Sequence, residues 1–148
     1  MAHDEQLSLC IILDGDGQQD DQHWALNISN QLQSLLTIQV LSLATWRLDI
    51  ITPTGNTPDN DPSHSPTYAG TIPLTHVKAS DLPRIEQLAR QLEMGRWPRW
   101  NCQDYVMDLL GALEKEGVIE KRDGDYQGGK GRLRGILHCR HGVILLDS

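Results

Sequence analysis

The first half of the chain alternates short apolar runs with turn-forming residues, which is typical of β-strands joined by short connections. In the second run, apolar residues occupy every other position from Trp24 to Ile28, so His23 belongs to the opposite face of that strand. Pro73 cannot donate to a ladder and favours an edge position for the last run. The pattern predicts five strands, at residues 7–13, 23–28, 35–43, 45–51 and 68–77.

Two helices are predicted after the strands, because apolar residues then recur at spacings of three and four positions. The first helix begins after a cap at Ser80 or Asp81 and ends at Gly95. The second opens with Asn101 as its N-cap and has Asp104 in its first turn, where a carboxylate is favourable. Together the elements predict an α+β fold, in which an antiparallel sheet carries two helices packed on one side.

Charge divides the chain into two parts. Residues 1–120, expected to form a single α+β domain, hold 7 Lys and Arg against 17 Asp and Glu. Residues 121–148 hold 6 against 3 and are expected to be partly mobile or to add an edge strand within 136–146. The acidic body argues against nucleic acid as the main partner, because phosphate binding needs a basic surface.

Several classes of protein are disfavoured by what the chain lacks. No run reaches the roughly 18 apolar residues of a membrane span, and the acidic N-terminus does not resemble a signal peptide, so a cytoplasmic location is expected. The three distant cysteines, Cys10, Cys102 and Cys139, fit free thiols better than a disulfide framework. The stretch 138–141 lacks zinc-ligand spacing, and 14–17 is interpreted as a turn, so no metal or other cofactor is expected.

The candidate chemistry centres on Cys102, which would occupy the first position of the second helix. Backbone N–H groups there lack intrahelical partners, and the helix dipole favours an anion, so the thiolate is favoured. His23, on a strand packed beside that helix, would accept the thiol proton and return it to a leaving group. If the second and third strands form a hairpin centred near Gln31, His23 faces Gln39, which becomes the candidate that orients the imidazole.

Other residues near Cys102 are candidates for substrate binding. Trp97 and Trp100 would wall a groove, and Gln103 would stabilise an oxyanion beside the backbone N–H of Cys102. His76 is an alternative partner for the cysteine. The structural alternative is packing for the tryptophans and an exposed position for His76.

Two motifs resemble those of a known superfamily. The segment Gln22-His23-Trp24-Ala25-Leu26 is similar to the His-Trp-Ala segment of the lecithin:retinol acyltransferase and H-rev107-like proteins, and Asn101-Cys102-Gln103-Asp104-Tyr105-Val106 resembles their Asn-Cys-Glu-His-Phe-Val. The second motif is also similar to a Trp-Asn-Cys-Gln-Asp-Trp/Tyr-Val helix in small uncharacterised fungal proteins. The resemblance implies a circularly permuted, papain-like fold of the NlpC/P60 type, in which the histidine precedes the cysteine.

This chain departs from those acyltransferases at three points. Their third site residue is a histidine on the strand after the first histidine, where this chain offers Gln39, and their Asn-Cys-Glu-His motif has a histidine where this chain has Asp104. Their membrane enzymes use a hydrophobic C-terminal anchor, whereas this chain ends in a basic segment. The departures favour a soluble acyl- or amide-processing enzyme over a phospholipid acyltransferase.

The function expected from the sequence is therefore that of a cysteine-nucleophile acyl enzyme. Its substrate would be a small-molecule or acyl or peptidyl ester, thioester or amide, processed by hydrolysis, transfer or cyclisation. One alternative is a non-catalytic binding module that keeps the papain-like scaffold and uses a groove near Trp97 and Trp100. Another is an interaction protein whose basic tail docks on an acidic partner. The sequence does not predict the oligomeric state.

Overall fold

The computed structural model describes residues 4–15, 22–42, 45–53, 67–97 and 100–141. Five strands form one antiparallel sheet in the order β4-β3-β2-β1-β5, and helices follow in the second half of the chain. The fold is therefore α+β. The strands are β1 (Gln6–Asp14), β2 (His23–Ser29), β3 (Ser34–Ser42), β4 (Trp46–Ile51) and β5 (Tyr68–Lys78), and the helices are α1 (Leu82–Gln91), α2 (Cys102–Lys115) and α3 (Gly124–His141).

The register between β2 and β3 differs by two residues from the prediction. Leu26 lies opposite Ile38, so His23 is not directly opposite Gln39. The side-chain oxygen of Asn30 accepts hydrogen bonds from two backbone N–H groups of the connection, and pairing shifts by one residue at the end of β2. Because side chains alternate with a period of two, a shift of two residues leaves every side chain on its predicted face.

The two faces of the sheet differ in chemistry. One face packs against all three helices in a single apolar cluster, which includes Leu9, Ile11, Leu26, Ile28 and Ile38 from the strands and Ile85, Val106, Leu109, Leu113 and Tyr126 from the helices. By the strand register, the opposite face carries a row of polar residues. These are Asp14, His23, Asn27, Thr37, Gln39 and Asp49.

The helix ends follow local signals with one difference. α2 ends as expected at a glycine with positive φ, Gly117, after which the N–H of Val118 bonds back to the carbonyl of Leu113 at 3.0 Å. α1 instead ends before Gly95, because Leu92 already has an extended backbone. Gly95, with φ of 69°, lies against the Trp46 ring, where a Cβ would come within 3.0 Å.

The edge strand predicted within residues 136–146 is wrong for residues 136–141, which belong to helix α3. Tyr126, Leu133 and Ile136 of this helix are buried in the same apolar cluster as α2. Lys130 forms an ion pair with Glu114 of α2. Packing therefore overrides the low helix propensity of the glycine-rich sequence.

One glycine of α3 has a specific packing reason. A Cβ on Gly129 would lie 2.5 Å from a methyl carbon of Leu74 and 2.7 Å from the backbone carbonyl oxygen of Pro73, both in β5. No side chain larger than hydrogen fits there without movement of the strand. The next glycine in the helix, Gly131, is exposed, and a Cβ there would meet no atom within 4 Å.

We expect Gly129→Ala to lower the free energy of unfolding by about 1–3 kcal/mol, because the added methyl group collides with backbone that cannot rotate away. Gly131→Ala is the matched control and should raise stability by about 0.5–1 kcal/mol, since it only improves helix propensity. Urea unfolding of the two variants followed by circular dichroism measures both changes. Equal effects of the two substitutions would contradict the close packing of α3 on β5.

Candidate active site

Cys102 is the first residue of α2, and a capping box holds the helix end around it. The Asn101 side chain accepts from the backbone N–H of Gln103 at 2.9 Å, and the Asp104 carboxylate accepts from the backbone N–H of Asn101 at 2.9 Å. The two bonds fix the first turn in the predicted arrangement. The half-buried sulfur of Cys102 therefore sits at the positive end of a 14-residue helix.

His23 is the first residue of β2 and hydrogen-bonds to Gln39 of β3. The distance from its Nε2 to Oε1 of Gln39 is 2.7 Å. The predicted contact between these residues is thus present, although the two are not opposite each other in the ladder. Gln39 reaches the ring from a diagonal position on the same face of the sheet.

The Cys102 side chain is close enough to the His23 ring to interact with it, so the cysteine and histidine motifs meet in space. Burial lowers the pKa of His23, but its interactions with Cys102, with smaller contributions from Gln39 and Asp14, outweigh burial and raise the pKa above 6.5. Since Nε2 is engaged with Gln39, Nδ1 is the ring nitrogen left for the sulfur. The raised pKa of His23 favours the protonated ring beside Cys102.

Gln103 has a different contact from the one predicted. Its side chain is fully buried, and its amide nitrogen donates to the backbone carbonyl of Gln22 at 2.9 Å. Gln103 follows Cys102 and Gln22 precedes His23, so this bond ties together the residues next to the proposed nucleophile and base. Gln103 is therefore a buried link between α2 and the start of β2.

The two candidate tryptophans lie in different environments. Trp100 is 2% exposed and packs edge to face against Trp46 and Tyr105, with ring centroids 5.3 and 6.2 Å away. Its indole N–H donates to Asp108 at 3.2 Å, so the prediction that Trp100 walls a groove is wrong and the packing alternative holds. Trp97 is 40% exposed beneath the Arg96 guanidinium and remains open to a ligand.

The other described thiol, Cys10, contrasts with Cys102. It lies in the middle of β1, and burial raises its pKa to about 11. Its thiol donates to the side-chain oxygen of Asn27, 3.8 Å from the sulfur. His76, the alternative partner considered for the cysteine, lies on β5 opposite Ser8 and two strands away from His23 in the sheet.

Asp49 is a site residue that the sequence reasoning missed. It lies opposite Gln39 in the β3–β4 ladder, and its carboxylate accepts from the Gln39 amide nitrogen at 2.9 Å. The alternation of Trp46, Leu48 and Ile50 already assigns Asp49 to the other face of β4. The sequence did not predict the register between β3 and β4, which places Asp49 opposite Gln39.

Some predicted features lie outside the described residues. They are His64, the second half of the stretch 14–17 and the side chains of 138–141. Among the residues that the structure describes, no three His, Cys, Asp or Glu side chains are grouped to hold a metal ion. Within the same residues, no helix combines the length and apolar character needed to cross a membrane.

Comparison with protein families finds a match over part of the chain. The model of a family of unknown function (DUF6540) matches residues 54–120. This stretch contains β5, α1 and α2 with Cys102, and it leaves out the strands that carry His23, Gln39 and Asp49. No curated protein and no solved structure matches the chain.

We expect the His23 ring to titrate above pH 6.5 and Cys102→Ala to lower its midpoint, because the substitution removes a hydrogen bond and a charge that favour the protonated ring. A raised folded-state pKa means that protonated His23 stabilises the fold below pH 6.5. That contribution is lost as the pH rises through the folded-state pKa. Imidazole chemical shifts followed by NMR between pH 5 and 9 give the midpoints.

Cys10→Ala is the control for this titration, because Cys10 contacts Asn27 and not His23. It should leave the His23 midpoint unchanged. Identical midpoints in the parent protein and Cys102→Ala would show that the two side chains do not interact.

Proposed function

We propose that this protein is a cysteine-nucleophile acyl enzyme in which Cys102 attacks a carbonyl carbon and His23 accepts the thiol proton and donates it to the leaving group. The observation that carries the proposal is the meeting of the Cys102 sulfur, at a helix N-terminus, with an imidazole whose other nitrogen is held by Gln39. A nucleophile, a base within reach and a group that orients the base are the parts that thiol-dependent acyl transfer needs.

The proposed reaction has two halves. The Cys102 sulfur forms a bond to the carbonyl carbon of an ester, thioester or amide, and the alcohol, thiol or amine leaves with the proton that His23 holds. A water molecule or a second nucleophile then attacks the acyl-enzyme, gives its proton to His23 and releases the acyl group from sulfur. In this proposal the backbone N–H of Cys102, in the first turn of α2, stabilises the oxyanion of each tetrahedral intermediate.

We also propose that the fold is a permuted papain-like arrangement of the NlpC/P60 type. Support comes from chain order, since the histidine strand precedes the cysteine helix. Further support comes from the third polar residue, Gln39, which lies on the strand next to that of His23. The substrate in this proposal is a small-molecule, acyl or peptidyl ester, thioester or amide.

Iodoacetamide should alkylate Cys102 faster than Cys10 at pH 7, because burial keeps the Cys10 thiol protonated and the His23 pair supplies a thiolate at Cys102. An ordinary cysteine is only a few per cent thiolate at this pH, so His23→Ala should slow labelling of Cys102 about tenfold. The difference should shrink near pH 10, where thiols ionise without help. Peptide mass spectrometry at timed intervals assigns the rate to each cysteine.

Cys10→Ser is the control and should leave the rate at Cys102 unchanged. Equal labelling of Cys102 in the parent protein and His23→Ala at pH 7 would count decisively against the pair. Incubation with an activated acetyl ester then tests the reaction class, since an acetyl group on Cys102, absent in Cys102→Ala, distinguishes an acyl enzyme from a binding module that retains the scaffold.

A further inference from the structure

We propose that Asp49 is a positioning residue that selects the tautomer of His23 through the side-chain amide of Gln39. The structure aligns four side chains in a row, from Asp49 on β4 through Gln39 on β3 and His23 on β2 to Cys102 on α2. This role of Asp49 rests on the proposed function, because the tautomer of His23 matters only if His23 is the base for Cys102. The hydrogen-bond direction itself follows from the donor and acceptor chemistry of the row.

The direction of the row is set at the Asp49 end. A carboxylate only accepts hydrogen bonds, so the Gln39 atom 2.9 Å from it must be the amide nitrogen. The amide oxygen of Gln39 then faces His23, at 2.7 Å from Nε2. Because an amide oxygen only accepts, Nε2 must carry the hydrogen.

This assignment determines which nitrogen can act as the base. A neutral imidazole has one N–H, so with the hydrogen on Nε2 the Nδ1 atom is bare and able to accept the proton of Cys102. In the other tautomer, Nδ1 would carry a hydrogen and could not take up the thiol proton. Asp49 thus keeps His23 in its reactive form without touching the ring.

Burial makes the control by Asp49 effective. Gln39 is 1% exposed, so water cannot readily replace either partner of its amide. Reversing the amide would place its oxygen against the half-buried Asp49 carboxylate, and two acceptors facing each other cost the lost hydrogen bond together with their repulsion. An uncharged residue at position 49 that can both donate and accept removes this preference.

The arrangement also separates charge from orientation. A carboxylate in direct contact with the ring would orient it and also raise its pKa by direct attraction. Here Gln39 lies between the Asp49 carboxylate and the His23 ring, so Asp49 determines the direction of the hydrogen bonds through Gln39. Asp14, opposite His23 in the β1–β2 ladder, acts on the ring by charge without contacting Gln39 and is therefore the matched control.

The test is the nitrogen chemical shifts of the neutral His23 ring, measured by NMR at a pH above its titration midpoint. We expect the parent protein to show Nε2–H alone and Asp49→Asn to show a mixture with at least about one tenth of Nδ1–H, since the new amide can donate or accept. Asp14→Asn should shift the titration midpoint but leave Nε2–H alone. Asp49→Ser, whose hydroxyl also both donates and accepts, is the second variant and should match Asp49→Asn.

A single Nε2–H form in the folded Asp49 variants would overturn the proposal. A labelling cycle adds a second readout: Asp49→Asn should slow alkylation of Cys102 in the parent protein and have no further effect in a Gln39→Leu background. Additive effects would mean that Asp49 acts independently of Gln39, which contradicts the proposal that Asp49 acts on His23 through Gln39. If Cys102 proves unreactive even in the parent protein, the proposed function fails, while the ring tautomer still decides the role of Asp49.

Discussion

The candidate site depends on the attachment of the α2 N-terminus to the start of β2. Two interactions hold it: the burial of the apolar face of α2 against the sheet, and the bond from the Gln103 amide to the carbonyl of Gln22. The first sets which elements meet, and the second sets the register at which they meet. Because Cys102 and His23 are the chain neighbours of the two bonded residues, their separation follows from that one contact.

The two faces of the sheet stabilise the structure in different ways. Hydrophobic burial on one face supplies the general driving force for folding, and it needs only residues of suitable size and spacing. The other face carries side chains that must match donor to acceptor, such as Asn27, whose amide donates to the hydroxyls of Ser34 and Thr37 at 2.7 and 2.9 Å. Buried polar groups of this kind specify one arrangement, since unmatched partners are costly in a medium of low polarity.

Much of the site was predictable because it rests on local rules. The cap at Asn101 and the position of Cys102 follow from helix N-terminal chemistry, and strand alternation puts His23 and Gln39 on one face even when the register is shifted by two. The roles of Trp100 and Gln103 were not predictable, because burial decides them, and a tryptophan or glutamine reads the same in sequence whether it is packed or exposed. The contact between Asp49 and Gln39 depends on the register between β3 and β4, which no turn residue in the sequence predicts.

The sequence alone determined the five strands, the polarity of each face and the capping box of α2, since each depends on residues within a few positions of one another. The pairing of a cysteine helix with a histidine strand was expected from two separate motifs and their resemblance to a known superfamily. Only the tertiary structure decided that residues 124–141 form a helix and that Asp49 ends the polar row. The physical reason is common to both. A glycine-rich segment becomes helical because Tyr126 and Lys130 contact Glu114 on α2, and a carboxylate becomes part of a site because a neighbouring strand brings an amide to it. In both cases the partner belongs to another helix or strand, so local sequence rules do not reveal it.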